Sequence, residues 1–350
     1  MAETPRTHDI IVIGGSAGAL ETLRAVLRDL PADLPAAVFV VMHLGAVSYL
    51  APVLERESNL PVVAASNGEP IERGNVYVAV PGMHLLIHDG HILLRRGPRE
   101  NLARPAIDPL FRSAAASFGS RVIGVVLSGA LSDGTAGLNA IKRCGGLAVA
   151  QDPQDAVVPD MPLSAVHHVD LDYVAAGSEM ASLLLRLTGE LAGPVIEVAR
   201  DIRLEAAIAA QELAGMKAED RLGKVSRFTC PECHGALWEI EEGTMLRYRC
   251  HVGHAFSADA VLSAQGEEIE RMLGTLQRSH QERAALARKL AARERAQDRH
   301  HLADHLDGRA SEYEEDALLV RELMRSSFAG TAGGATEEKE AVGRNAEVES

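Results

Sequence analysis

Aromatic residues make up only 3% of this chain, with a single tryptophan, which leaves little material for stacking bases or sugars. Basic residues are outnumbered: 49 Asp and Glu against 35 Lys and Arg give a formal charge of -14. That balance argues against non-specific binding to nucleic acid or an anionic membrane, while leaving neutral or basic partner segments open. No uninterrupted apolar run approaches the roughly 20 residues that a bilayer span requires. Met1-Ala2-Glu3-Thr4-Pro5 has neither the basic start nor the apolar core of a signal peptide. No membrane insertion and a cytoplasmic location are therefore expected. Cysteine is scarce too, four in 350 residues. In a reducing compartment, where disulfides are rare, that number fits three metal ligands and one buried thiol. Apolar side chains are plentiful, 47% against 24% charged, as in globular proteins with one large domain and smaller modules. Nothing in the composition speaks to an oligomeric state.

Residues 9–14 form a short β-branched run ending in glycine, the pattern of a strand buried on both faces of a parallel sheet. After Gly14-Gly15-Ser16-Ala17-Gly18 the period becomes helical, with Leu20, Leu23, Val26, Leu27 and Leu30 on one face and Pro31 ending the run. A second buried strand, 37–42, leads into His43, and 49–56 reads as a helix. Further strands are expected near 76–80 and 84–88, the latter turning through Asp89-Gly90 into 91–94 as a hairpin. A helix over 107–118, a strand over 122–127, a helix over 133–144 and a strand over 147–150 follow. This alternation implies a mostly parallel α/β sheet with helices on both faces. We place that domain at 8–190, after a 1–7 tail. A charged helical connector over 191–225 and a compact cysteine module over 226–256 come next. A helical region over 257–328, with spacings such as Ile269, Leu273, Leu276 and Leu286, Leu290, precedes a Gly/Ala/Glu-rich tail over 329–350 that is expected to be disordered. No internal repeat is visible.

Gly14-Gly15-Ser16-Ala17-Gly18 satisfies G-x-S-x-G between a buried strand and an amphipathic helix, the setting in which that motif exposes a nucleophilic hydroxyl. Small neighbours keep the turn sharp, and amides at the helix start, near Ala17, can hold an oxyanion. The competing reading is a dinucleotide loop, but an acidic residue is wanted at the end of the second strand, where His43 stands, and the full G-x-G-x-x-G is missing. His43 follows the second core strand, at the same carboxyl edge as Ser16, where it can take and return the serine proton; otherwise it is a strand-end packing residue. Asp133 follows the third core strand and can orient the imidazole; taken singly, it reads better as a helix N-cap. Ser16, His43 and Asp133, at the ends of three strands, are the expected catalytic residues. Their chain order is not that of α/β-hydrolases.

With these pieces in place, the chain resembles the catalytic domain of CheB-type chemotaxis methylesterases over roughly residues 8–190. The resemblance rests on Ile13–Gly18, Val41-Met42-His43, Arg104-Pro105-Ala106-Ile107-Asp108-Pro109-Leu110-Phe111, Leu127-Ser128-Gly129 with Ser132-Asp133-Gly134, and Ala150-Gln151-Asp152 followed by Met161-Pro162. It implies a doubly wound α/β sheet and hydrolysis of glutamate γ-methyl esters on chemoreceptors, with glutamine deamidation in some members. A methylated chemoreceptor or related signalling protein is then the expected partner, and no catalytic cofactor is expected. Two loops depart from the family pattern, Leu44-Gly45-Ala46-Val47-Ser48 after the histidine and Gly129-Ala130-Leu131 before the aspartate. They bear on substrate preference, and with them stands an alternative: a weak or vestigial esterase acting as a docking module. The expected layout has no preceding receiver domain. Arg104 reads either as a substrate-orienting cation or as a surface partner of Asp108.

Cys230-Pro231-Glu232-Cys233 and Cys250-His251-Val252-Gly253-His254 give C-x2-C-x16-C-x3-H, ligand pairs on tight turns that suit a structural zinc. Cys230, Cys233, Cys250 and His254 are the expected ligands, with His251 as substitute fourth; reduced thiols without metal are the alternative. Leu237, Trp238, Ile240, Met245 and Leu246 are the only apolar residues available for a core there, so metal would supply the missing stability. Modules of this kind, ending in Cys-x-Val-Gly-His, follow the esterase domain in stand-alone relatives, as the resemblance implies. Cys144 is expected to be buried, and His300, His301 and His305 to lie on a solvated helix face.

Overall fold

The structure, a computed structural model, describes residues 6–43, 49–211 and 223–329. The chain divides into two compact units, Met1–Leu262 and Ser263–Ser350. The first is built on seven strands: β1 (Ile10–Gly15), β2 (Ala37–Met42), β3 (Val62–Ala64), β4 (Val76–Val78), β7 (Val122–Val126), β8 (Leu147–Gln151) and β9 (Tyr173–Ala175), with β5 (His84–His88) and β6 (His91–Arg95) forming a separate hairpin. All pairings in the sheet are parallel, in the order β3-β4-β2-β1-β7-β8-β9. β1 and β2 are buried at every position, which is why they read as unbroken β-branched runs instead of alternating ones. Ile11 and Ile13 pack on one face with α1 (Ala19–Asp29), α2 (Leu50–Glu55) and α6 (Gly177–Thr188). Ile10 and Val12 pack on the other with α3 (Ile107–Phe118), α4 (Thr135–Arg143) and α5 (Asp160–His168). The two-sided cover is the doubly wound arrangement.

The hairpin turns at Asp89 and Gly90, both at positive φ (46° and 75°), the conformation a two-residue turn needs to match strand twist. β3, α5, β9 and α6 have no counterpart among the expected elements; β3 and β9 are three residues each, too short for a periodicity to show. The stretch expected as a helical connector contains α7 (Arg200–Ala209), whose Ile202 and Ile208 are buried, and the start of a strand at Lys224. It is a packed helix, not a loose one.

The cysteine module is a four-stranded antiparallel sheet, β10 (Lys224–Thr229), β11 (Ala236–Glu242), β12 (Met245–Cys250) and β13 (Ala255–Ser257). Its core differs from the expected one. Leu237, Ile240 and Met245 are buried, but Leu246 is exposed and Trp238 half-buried, and Tyr248 and Phe256 fill the space instead. Leu246 lies beside buried Met245 on β12, and successive side chains of a strand point to opposite faces.

Two long helices follow, α8 (Ala258–Arg295) and α9 (His300–Ala329). In the second unit they run antiparallel, as the pairs Arg288–Glu314 (2.8 Å) and Arg295–Asp307 (2.8 Å) require. The seam is alanine: Ala284, Ala287, Ala291, Ala303, Ala310 and Ala317 are buried, whereas Ile269, Leu276, Leu286 and Leu290 are exposed. Small side chains let the helix axes approach closely and leave the leucines outside. Among the described residues, no helix is long and apolar enough to cross a membrane. The Gly/Ala/Glu-rich tail from residue 330, the N-terminal five residues and the loop Leu44–Ser48 lie outside the described residues.

Candidate active site and metal site

The sheet order reverses at one place: from β1 the chain moves outward to β2 and β4, and from β7 the other way to β8 and β9. Ligands of open parallel sheets settle at the carboxyl ends of the strands beside such a switch. Ser16 follows β1, His43 follows β2, and the loop 127–134 follows β7. Gly15 and Met42 are paired across β1 and β2, so Ser16 and His43 leave the sheet side by side from strands about 4.8 Å apart.

The turn carrying Ser16 is clamped by its neighbours. Its amide donates to Ser128 O (2.9 Å), Ser128 Oγ donates to Ala17 O (2.7 Å), and the Ser128 amide donates to Gln151 Oε1 (3.0 Å). Gly129 N donates to Val158 O and Met161 N to Gly129 O, each at 2.9 Å. A Cβ on Gly129 would stand 2.1 Å from Met161 Sδ and 2.8 Å from Ser16 Cβ, so only glycine lets that loop close over the serine. Gly18 turns the chain into α1 at φ 79°, a left-handed step that glycine takes without a steric penalty. The amides of Ala17 and Gly18 find no acceptor among the described residues. Both residues are exposed beside the serine.

His43 and Asp133 are in contact: Nε2 lies 2.7 Å from Asp133 Oδ2. An ionised carboxylate only accepts, so Nε2 carries a proton and Nδ1 is the nitrogen not engaged by Asp133. Among the described residues no hydrogen bond joins the Ser16 hydroxyl to the imidazole, a bond that commonly tightens only with substrate in place. Asp133 is 1% exposed. It accepts from Ile107 N (2.7 Å), Asp108 N (3.2 Å), Gly134 N (3.0 Å) and Asn101 Nδ2 (2.9 Å). Burial pushes its carboxyl up, but the His43 contact and these donors outweigh it and hold the group below the ordinary range.

Asp133 is not the cap of α4. That task falls on Asp108 from α3, whose Oδ1 accepts from Gly137 N (2.6 Å) and Gly134 N (3.1 Å) while Oδ2 accepts from Asn101 Nδ2 (2.9 Å). Burial first, then the charge of Asp133, pushes Asp108 up to about 7. Arg104 therefore has no carboxylate partner in Asp108; its Nη1 donates to Gly97 O (2.7 Å). Asn101 and His84 went unseen in the sequence. His84 is buried, with Nε2 2.8 Å from Pro98 O and Nδ1 accepting from Ala106 N (3.3 Å). These contacts fix it as neutral, and burial lowers its basicity to match. No motif marks either residue.

In the cysteine module Cys230, Cys233, Cys250 and His254 bring one ligand atom each to within 4.8 Å of one another, and His251 is outside the group. Cys233 Sγ lies 3.6 Å from Cys250 Sγ, and His254 Nδ1 lies 3.4 Å from Cys250 Sγ and 3.7 Å from Cys230 Sγ. A tetrahedral ion with bonds of about 2.0–2.3 Å sets its ligand atoms roughly 3.5–3.8 Å apart. The donor set therefore fits zinc. Cys144 is buried and its thiol is pushed up by that burial. His300, His301 and His305 are exposed along α9 and join no ligand group among the described residues.

The CheB methylesterase family model matches residues 11–184. A Leptospira interrogans protein carrying a protein-glutamate methylesterase/protein-glutamine glutaminase name is 41% identical over 183 residues, 51% of this chain and 95% of that one. Protein-glutamate methylesterase/protein-glutamine glutaminase 2 of Anaeromyxobacter dehalogenans is 40% identical over 182 residues, 51% of this chain and 53% of its own length. Among solved structures, the Thermotoga maritima CheB methylesterase catalytic domain matches with a TM-score of 0.50 and 34% identity, over 52% of this chain and 99% of that chain. The matched region holds Ser16, His43 and Asp133 at one sheet edge, and on these likenesses the chain belongs to the CheB methylesterase family.

Proposed function

We propose that this protein hydrolyses γ-methyl esters of glutamate on a chemoreceptor-like protein, releasing methanol, with Ser16 as nucleophile, His43 as base and Asp133 as its orienting carboxylate. The observation that carries this reading is the 2.7 Å imidazole–carboxylate pair beside a clamped serine turn, in a chain of the CheB methylesterase family. Asp133 holds Nε2–H, so Nδ1 takes the Ser16 proton as Oγ attacks the ester carbonyl. The Ala17 and Gly18 amides receive the negative oxygen. Collapse of the tetrahedral intermediate breaks the bond to methoxide, which leaves as methanol with the proton from His43. Water, deprotonated by the same nitrogen, then attacks the acyl-enzyme and restores Ser16. The same route with ammonia leaving would deamidate glutamine, as the relatives' names include. The site needs no cofactor for these steps.

Cys230, Cys233, Cys250 and His254 would hold a zinc ion, which supplies cross-linking of the module's two ligand turns and no reaction step. Ser16→Ala is expected to abolish methanol release from a methylated receptor fragment while leaving the melting temperature unchanged. Equal release by the variant rejects the mechanism.

A further inference from the structure

The strand that leaves the cysteine site meets the Asp133 carboxylate through one side chain. His254 directly precedes β13, and β13 runs beside residues 99–101: Ala255 N donates to Arg99 O (3.2 Å) and Asn101 N donates to Ala255 O (2.8 Å). Ser257 N donates to Asn101 Oδ1 (2.9 Å). With its oxygen so engaged, the Asn101 amide must turn its NH2 the other way. Nδ2 donates to Asp133 Oδ1 and Asp108 Oδ2, both at 2.9 Å. The reverse orientation would set NH2 against an N–H and oxygen against two carboxyl groups, so the flip is decided by its partners. Asn101 is buried. It and Leu102 sit at positive φ (47° and 65°), a backbone that L side chains rarely adopt and that persists where surroundings impose it.

We propose that Asn101 is a positioning residue that couples the metal state of the cysteine module to the esterase. With the four ligands closed on a metal, the Ser257 amide holds Asn101 so that its NH2 fixes Asp133 toward His43. With the ligands released, that hold is lost and hydrolysis slows. The inference rests on Ser16, His43 and Asp133 acting as the proposed triad. The groups facing Asp133 are the imidazole of His43, the Asn101 amide, the Gly134 amide that leads into α4 and, from α3, the Ile107 and Asp108 amides and the Asp108 carboxyl, with the buried imidazole of His84 close enough to feel its charge.

The test uses the full chain and p-nitrophenyl acetate, an ester that needs the nucleophile but no receptor; Ser16→Ala confirms that hydrolysis comes from this site. Asn101→Ala is expected to lower kcat by about 10- to 100-fold with KM little changed and metal content, by atomic absorption, intact. One donor fewer leaves more negative charge on Asp133 to stabilise the imidazolium, so the acidic limb of the kcat/KM profile moves to higher pH. A profile that superimposes on the parent's overturns the positioning role. Metal removal by 1,10-phenanthroline is expected to slow the parent by a similar factor and add little to Asn101→Ala, the signature of coupled sites; equal slowing of both overturns the coupling. The readout free of activity is hydrogen exchange. Chelation should speed exchange over residues 99–108 and spare 122–126, and unchanged exchange at 99–108 overturns the inference even if Asn101→Ala fails to fold. Hydrolysis of p-nitrophenyl acetate without methanol release from methylated receptor rejects the proposed substrate alone.

Discussion

At the scale of single residues, two buried carboxyl groups share one pocket and are driven apart. Asp133 faces an imidazole and four N–H donors and stays ionised; Asp108 faces Asp133 and is pushed up to about 7 from 3.8. This raised value has a consequence for stability. Between about pH 4 and 7 the folded chain holds a proton on Asp108 that the unfolded chain has released, so this group's contribution is present at low pH and is lost as pH rises to 7. Asp108→Asn removes that dependence while keeping an acceptor for the Gly134 and Gly137 amides. Denaturant unfolding at pH 5 and pH 8 should show the variant gaining on the parent by on the order of 2 kcal/mol across the interval. A constant difference would mean that Asp108 does not hold the proton.

At the scale of elements, α3, α7 and β12 meet over a buried charge cluster. Glu205 of α7 accepts from Arg247 (2.6 Å) and Arg249 (2.7 Å) of β12, and Arg112 of α3 pairs with Glu100, which also accepts from Arg249 (3.2 Å). All five side chains are at most 7% exposed. Burial raises the cost of ionising Glu205, yet the arginines hold it well below the ordinary range. Such clusters add little over a well-packed apolar core, but removing one member leaves uncompensated charge behind. Glu205→Gln is therefore expected to cost about 3–5 kcal/mol, read as a lower denaturation midpoint. A loss below about 1 kcal/mol would show that water reaches the arginines.

At the scale of the molecule, the cysteine module and the esterase region are parts of one compact unit, Met1–Leu262. Asn139 Nδ2 donates to Glu242 Oε1 (2.8 Å), His168 Nδ1 lies 2.9 Å from Thr244 Oγ1, and Asn101 meets Ser257. The family match ends at residue 184, so these contacts tie the matched region to the cysteine module beyond it. A chain ending after residue 190 would strip Glu100 and Arg112 of three charged neighbours. It is expected to melt about 5–10 °C below the full chain in calorimetry; an equal melting temperature would make the later segment a passenger.

The amino-acid sequence by itself settled the core strands at 37–42 and 84–88, the helix at 107–118 and the Asp89-Gly90 hairpin, because each is long enough to show a period or carries turn residues with a defined conformation. It also put Ser16, His43 and Asp133 at strand ends and paired the candidate ligands Cys230 and Cys233, since motifs of close spacing are local. Three-residue strands such as β3 and β9 and the alanine seam of α8 and α9 escaped, the former too short for periodicity and the latter masked by more apolar leucines. Only the tertiary structure decided which nitrogen of His43 meets Asp133, that Asp108 and not Asp133 caps α4, and that Asn101 bridges to Ser257. Those partners are 26 to 156 residues apart. A hydrogen bond between them depends on where the sheet and the module bring the backbone, and no stretch of sequence carries that distance.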